Sequence, residues 1–125
     1  MEKTVLIDGR EVKFRATAAI PRLYRIQFRR DIMQDMARLQ KDIQKAKSSK
    51  KGSLPLDTLT IFENIAFLMA KHANPDMPEK TVGEWLDGFQ TFSIYAVFPQ
   101  IFELWKENLL TLVQSKKKHV PPSGK

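Results

Sequence analysis

Residues 92–113 read "FSIYAVFPQIFELWKENLLTLV" and hold fourteen apolar side chains but only three charged ones. The polar residues of this stretch recur at helical spacing and form one narrow stripe, at positions 100, 103, 107 and 111. A helix that is apolar on most of its sides is normally surrounded by protein. The stretch therefore predicts a C-terminal helix over about residues 92–114, on which the rest of a small fold packs.

Pro99 lies inside this stretch. A proline within a helix donates no N–H and its ring clashes with the preceding turn, so we expect a kink or a restart there. Proline, glutamine and charged residues also interrupt the apolar run, and no window of the chain reaches the roughly 18 apolar residues of a transmembrane helix. We therefore expect no segment that crosses a membrane.

Length and composition predict one globular domain. The chain has 125 residues, of which 42% are hydrophobic and 28% are charged, and these values are typical of globular proteins. It has no cysteine, which excludes disulfides and thiolate metal sites and suits a reducing cytosol. Residues 1–13 are charged and lack an apolar core, so we expect no secretory leader.

Charge is divided unevenly along the chain, whose net charge is +7. Residues 1–53 carry 14 Lys and Arg against 6 Asp and Glu, a net charge of +8. Residues 54–113 carry 3 against 8, a net charge of −5, and residues 114–125 add four lysines and no acid. A basic front and an acidic middle favour head-to-tail contacts between copies as much as nucleic acid binding.

The first element is predicted to be a β-hairpin over residues 3–15. Apolar residues alternate with polar or smaller ones on both sides of Asp8-Gly9, at positions 5, 7, 12 and 14. An Asp-Gly pair supplies the positive φ angles of a two-residue type I′ turn. Because a lone hairpin is marginally stable in water, its apolar face must pack on helices or pair with another chain.

Three helices are predicted between the hairpin and the C-terminal helix, over about residues 18–47, 56–73 and 80–89. Thr17 is a candidate N-cap of the first, with Pro21 near its first turn. The apolar stripe of this first helix has spacings of 4, 4, 3 and 4, at Phe28, Ile32, Met36, Leu39 and Ile43.

The other two helices carry their own boundary signals. Asp57 or Thr58 is the candidate cap of the second helix, and Asn74 followed by proline predicts its end. Thr81 and Glu84 have the spacing of a capping box at the start of the third.

The predicted fold is therefore α+β and mainly α, with an N-terminal β-hairpin followed by about four helices in a small bundle. We assign residues 1–115 to a single domain. Residues 48–53, "SSKKGS", predict a polar loop between helices. Residues 116–125, "KKKHVPPSGK", predict a disordered basic tail.

The sequence contains no pattern that predicts catalysis. It has no Gly-rich phosphate loop, no nucleophile elbow and no zinc-ligand spacing, and His72 and His119 are its only histidines. His72 falls near a predicted helix end, where a protonated imidazole would complement the helix dipole. Glu84 and Asp87, three residues apart on one helix, are typical of solvated surface acids. We therefore predict a protein that is not an enzyme, with no catalytic, cofactor-binding or metal-binding residue.

Arg22, Arg25 and Arg29 share one face of the first predicted helix. Such a stripe can follow phosphates, which leaves nucleic acid binding as a hypothesis. It can also be a solvated face, or pair with the acidic middle of the same or a neighbouring copy. No aromatic stacking platform accompanies it, so we favour electrostatic contacts between subunits of a homo-oligomer.

Methionine and aromatic residues are numerous, and most are expected in the core. Met-rich apolar surface also suits a groove that accepts amphipathic helices, because thioethers adapt to many shapes. The excess apolar area in residues 97–113 is where we expect such a groove.

The chain resembles the tail assembly chaperone family of long-tailed phages and prophages of Gram-positive bacteria. The resemblance covers most of residues 5–118 and is carried by "IDGREVKFRATA", "PRLYRIQFRRDIMQDM", "EWLDGFQTFSIYAVFPQIFELW" and the Lys-rich end. None of these segments is a catalytic signature. Many members have Phe-Gly where this chain has Phe28-Arg29, and that departure concerns the packing of the first helix.

The resemblance implies a chaperone that coats the tape measure protein, a very long and largely helical chain, before the tail tube polymerises around it. The implied partners are the tape measure protein and the major tail tube protein, and the implied location is the host bacterial cytoplasm. For the client-binding groove we predict one helical stripe, at Phe98, Phe102, Trp105 and Leu109. Two alternatives stay open: a small basic nucleic-acid-binding or regulatory phage protein, and a minor structural component of the virion.

Overall fold

The computed structural model describes residues 1–48 and 53–119, with side chains in the last helix as far as Leu109. Within these residues a two-stranded antiparallel sheet precedes five α-helices, so the predicted fold class, α+β and mainly α, is confirmed. The elements are β1 (Glu2–Ile7), β2 (Arg10–Arg15), α1 (Ile20–Phe28), α2 (Ile32–Ser48), α3 (Leu56–Ala73), α4 (Val82–Leu86) and α5 (Ile94–His119). Residues 49–52 of the predicted loop and 120–125 of the predicted tail lie outside the described residues.

The hairpin has the predicted two-residue turn. Asp8 and Gly9 have φ angles of 57° and 76°, the combination that a type I′ turn requires. The two strands pair with Val5 opposite Val12. One face of the sheet is buried against α3 and α5, through Val5, Ile7, Val12 and Phe14. The requirement that a lone hairpin cover its apolar face is therefore met by the helices of the same chain.

Polar contacts tie the tip of the hairpin to the segment between α4 and α5. The Asp8 carboxylate accepts the backbone N–H of Gln90 at 2.9 Å. The Arg10 guanidinium donates to the Gly88 carbonyl at 2.9 Å and lies 4.3 Å from the centroid of the Phe89 ring. These contacts join residues about eighty positions apart in the chain, and they place the start of α5 beside the end of β1.

The single helix predicted over residues 18–47 is wrong, because the chain breaks it into α1 and α2. Arg29, directly after α1, adopts the left-handed conformation with φ 57° and ψ 41°, and its N–H bonds to the Arg25 carbonyl at 2.9 Å. The Asp31 carboxylate then accepts the N–H of Met33 at 2.8 Å and caps the start of α2. The apolar stripe keeps a helical spacing across the break, so periodicity alone could not reveal it.

A buried carboxylate holds the two helices together at this break. Asp35 accepts a 2.6 Å hydrogen bond from the Tyr24 hydroxyl, and both of its oxygens accept from Arg30, at 2.7 and 2.9 Å. Burial acts to raise the pKa of Asp35, but the hydrogen bonds from Arg30 and Tyr24 outweigh it, so the pKa is lowered. Burial and the same carboxylate raise the pKa of Tyr24. Asp35 is therefore a charged, fully paired anchor between α1 and α2.

Helix α3 begins at Leu56 and ends at Ala73, but neither candidate side chain caps its start. Pro55 is the N-cap residue, without a side-chain hydrogen bond. Asp57 instead accepts from Arg38 of α2 at 2.6 Å. The buried Thr58 hydroxyl donates to Asp42 of α2 at 2.6 Å. Both residues are therefore committed to packing α2 against α3, which competes with local capping.

Helix α4 is short and has the predicted cap. The Thr81 hydroxyl accepts the N–H of Glu84 at 3.1 Å, and the Glu84 carboxylate accepts the N–H of Lys80 at 2.8 Å. Trp85 of this helix is buried, and the rings within 5.3–6.4 Å of its own belong to Phe14, Phe67, Phe89 and Phe92. This aromatic cluster docks α4 under the hairpin and beside α3.

Helix α5 is continuous from Ile94 to His119, so the expected restart at Pro99 is wrong. Pro99 is the sixth residue of the helix and its ring is exposed, so the cost of the missing N–H is one hydrogen bond near the N-terminus. The backbone of residues 116–119, predicted as part of a disordered tail, continues the helix.

We predict that Arg29→Gly stabilises the fold by about 0.5–1 kcal/mol, because glycine adopts φ near +57° without the steric penalty of a side chain. The matched control is Arg25→Gly, which places the same change inside α1 and should cost about 1 kcal/mol. Urea denaturation of both variants measures the two changes. Equal destabilisation by both would contradict the left-handed assignment at Arg29.

We predict that Asp35→Asn lowers the free energy of unfolding by about 2 kcal/mol at pH 7, because the buried position loses the charged acceptor of the hydrogen bonds from Tyr24 and Arg30. Since folding lowers the pKa of Asp35, its contribution is present above the carboxyl's ordinary pKa and is lost as pH falls through the lowered value. The difference between wild type and variant should therefore shrink in acid. Denaturation at a series of pH values tests this.

The control for that series is Glu11→Gln, at an exposed carboxylate of β2 that forms no ion pair in the described residues. It should change stability by less than about 0.5 kcal/mol at every pH. An Asp35→Asn variant that behaves like this control would show that the buried carboxylate does not hold α1 to α2.

Candidate functional site

The inner face of α5 belongs to the core of the domain. Ile94, Val97, Ile101 and Leu104 are buried against α3 and β1. Contacts between aromatic rings continue this packing: the centroid of the Phe62 ring of α3 is 6.4 Å from that of Phe98. Much of the apolar content that the sequence concentrates in residues 92–113 is therefore used by the chain's own fold.

The four residues predicted to bind a client lie at two depths. Phe98 and Trp105 are only 4% and 3% exposed, so neither reaches the surface. Phe102 and Leu109 are half-buried and pack against the core from outside. The centroid of the Phe98 ring lies 5.3 Å from that of the Phe102 ring, and the two rings pack against each other. Of the four residues of the predicted stripe, Phe98 and Trp105 are therefore buried, and Phe102 and Leu109 are partly exposed.

The structure adds a residue that the sequence prediction missed. Tyr95 is 37% exposed and precedes Phe102 by seven residues, as Phe102 precedes Leu109. A spacing of seven places side chains on one helix face, two turns apart. We call Tyr95, Phe102 and Leu109 the outer stripe. Extending the 3–4 spacing of the four predicted residues by one step toward the N-terminus, from Phe98 to Tyr95, would have found it.

Charged residues border the outer stripe. Lys106 places its ammonium 5.3 Å from the centroid of the Phe102 ring, a cation–π contact that shields one edge of the ring. Glu103 and Glu107 are exposed, as the predicted polar stripe requires. The outward face of α5 is therefore a narrow apolar line with charge on its flank, a pattern suited to one amphipathic helix.

The clefts described on this surface lie away from the four predicted residues. Cavities of about 390, 520, 480 and 390 Å³ open at the surface of the described residues, and none of these four is lined by Phe98, Phe102, Trp105 or Leu109. The predicted groove is therefore not a preformed cleft among these cavities.

The predicted arginine stripe lies at the junction of α1 and α2. Arg22 and Arg25 are exposed on α1, and Arg29 is exposed directly after it. Within the described residues none of the three forms an ion pair, whereas the neighbouring Arg30 is paired with Asp35. A cavity of about 480 Å³ opens beside them, lined by Pro21, Arg25, Arg29, Arg30, Asp31, Ile32 and Met33.

His72 lies in the last turn of α3, but its environment opposes the protonated state that the sequence suggested. Its Nε2 is 2.8 Å from the hydroxyl of Thr17. Burial, Arg15 and the N-terminal amine lower the pKa of His72, so the neutral imidazole is favoured. Thr17 itself is not the N-cap of α1, a position held by Ala19; its hydroxyl accepts the Ala19 N–H at 3.2 Å.

Histidine and acidic side chains are spread over several elements in the described part of the chain. Residues 1–48 and 53–119 hold no cluster of His, Asp and Glu suited to a metal ion. Glu84 is used in the cap of α4, and Asp87 is exposed beyond its end. None of the helices in these two ranges combines the length and apolarity that crossing a bilayer requires.

Comparison with known proteins leaves the chain without a named relative: no family model, no curated protein and no solved structure matches it. Function must therefore be argued from the chain's own surfaces, such as the partly exposed outer stripe on α5 and the exposed arginines at the junction of α1 and α2.

Proposed function

We propose that this protein is a phage tail assembly chaperone that binds and solubilises the tape measure protein during tail morphogenesis. The observation that carries the proposal is the outer stripe on α5. Tyr95, Phe102 and Leu109 offer apolar surface at heptad spacing, and a long helical client carries the complementary repeat. The sequence pattern that resembles the tail chaperone family supports the same function.

The outer stripe would bind by adding a client helix to the surface of α5. Phe98 and Trp105 are buried, and the Phe98 ring contacts that of Phe102, so the half-buried Phe102 packs against a side chain that is itself held in the core. Rigid anchors lose little conformational freedom on binding, which favours affinity for a given contact area. In this arrangement Phe98 and Trp105 support the surface, and Tyr95, Phe102 and Leu109 touch the client.

A stripe of three side chains would bind weakly, and weak binding suits the role. A tape measure protein exposes apolar stripes along its whole length before assembly, and such stripes aggregate in water. Many copies of a small chaperone along one client would protect it together. Each copy would still leave singly when the major tail tube protein arrives to replace it. The process belongs to the cytoplasm of the host bacterium.

The direct test is co-expression of the tape measure protein with variants of this chain. Tyr95→Glu combined with Phe102→Glu places two charges on the outer stripe, where desolvation on binding is costly. We expect soluble tape measure protein to fall at least about fivefold relative to wild type, a change of roughly 1 kcal/mol in binding. Quantitative blotting of the soluble fraction measures it.

The matched control is Leu6→Glu combined with Leu56→Glu, which alters two exposed apolar residues on other faces of the domain. This control should leave the soluble amount of client unchanged. Circular dichroism of both purified variants checks that each keeps its helical content. If the outer-stripe variant folds and solubilises the client as well as the control does, α5 is not the client-binding element.

A further inference from the structure

We propose that the junction of α1 and α2 binds the acidic segment of a second copy of this chain, in a head-to-tail contact. The receiving surface, here called the basic corner, consists of Arg22, Arg25, Ile26, Arg29 and Met33. The incoming segment, here called the acidic segment, is residues 74–87, which join α3 to α4 and include α4. This contact requires no client and is independent of the proposed function.

The basic corner combines unpaired charge with exposed apolar area. Arg22, Arg25 and Arg29 form no ion pair in the part of the chain that the structure describes. Beside them, Ile26 and Met33 are 60% and 51% exposed. Two large aliphatic side chains set among guanidinium groups are typical of an interaction surface, where an apolar centre is surrounded by a charged rim.

The conformation of the chain keeps the basic corner in place. Arg29 is turned out by its left-handed backbone, and the buried Asp35 fixes α1 against α2 through Tyr24 and Arg30. Arg30 is already paired with Asp35, so Arg22, Arg25 and Arg29 are the arginines whose charge is available to a partner. The cavity beside them gives a partner side chain a place to enter.

The acidic segment supplies the complementary chemistry on the same chain. It carries four acids against a single lysine, Lys80, for a net charge of −3. Asp76 and Asp87 are exposed, and no ion pair involving the segment is found among the described residues. Two exposed prolines, Pro75 and Pro78, flank Asp76 and limit the freedom that the loop loses on docking.

Charge decides the symmetry of the contact. A two-fold contact of one basic corner with another would bring six unpaired guanidinium groups together, and like charges at short range repel. A corner that meets the acidic segment of the next copy pairs opposite charges and leaves one free corner at one end of the pair and one free segment at the other. Such a heterologous contact propagates into a ring or an open row of copies.

The contact should be weak and sensitive to salt, because exposed ion pairs contribute little individually and are screened by ions. Sedimentation of the purified full chain at high protein concentration and low salt tests it. We expect a weight-average mass at least about 1.5 times the 14.5 kDa of the monomer, rising with concentration as an open association does. High salt should return the monomer mass.

Charge reversal identifies the two surfaces. Arg22→Glu with Arg25→Glu, and separately Asp76→Lys with Asp87→Lys, should each give a monomer. Combining all four changes in one chain restores opposite charges across the contact, and this chain should associate again. The matched control, Lys41→Glu with Lys45→Glu, makes the same change in net charge on the exposed face of α2 and should associate like wild type.

Several outcomes would overturn the proposal. One is a wild-type chain that stays monomeric at low salt; another is a four-fold variant that stays monomeric while remaining folded. A third is binding of a DNA or RNA oligonucleotide that is lost in Arg22→Glu with Arg25→Glu, without any association of wild type. That result would assign the basic corner to phosphates.

Discussion

The rest of this fold depends on one constraint: the two-stranded sheet is not stable in water unless its apolar face is covered. A single hairpin has too little apolar contact to be stable in water, and here its inward face is covered by α3 and α5. Asp8 and Arg10 at its tip bind the segment that leads into α5. The hairpin therefore sets where α5 begins, and that start determines which side of α5 faces inward.

Much of this arrangement could be predicted because it depends on local chemistry. The Asp8-Gly9 turn, the Thr81 cap and the end of α3 at Asn74 each follow from residues whose backbone preferences are strong. The break between α1 and α2 could not be predicted, because Arg29 has no intrinsic preference for a positive φ. It is accompanied by the contacts of the buried Asp35 with Tyr24 and Arg30 across the break, and a single sequence does not show which side chains will meet in this way.

The sequence placed the candidate site on the last helix, but it could not show which of the side chains of the site are buried and which are exposed. Periodicity correctly placed Phe98, Phe102, Trp105 and Leu109 on neighbouring faces of one helix, yet it carries no information on which face the hairpin covers. The structure buries Phe98 and Trp105 and leaves Tyr95 at the surface. The apolar side chains of α5 cover a wider arc of the helix than the fold can bury, which explains both observations. Side chains at the centre of this arc stabilise the fold, and those at its edge stay accessible to another molecule.

The two surfaces proposed to bind other molecules lie on different elements, and this separation has a consequence for assembly. The outer stripe is on α5, whereas the basic corner is at the break between α1 and α2. A row of copies joined through corners and acidic segments would leave every outer stripe free. Contacts between neighbours would then add to each copy's weak hold on a long helical client, since linked sites bind together more strongly than isolated ones. Because the proposed contacts between neighbours are electrostatic and the proposed contacts to the client are apolar, salt would weaken the row without weakening the binding of each outer stripe.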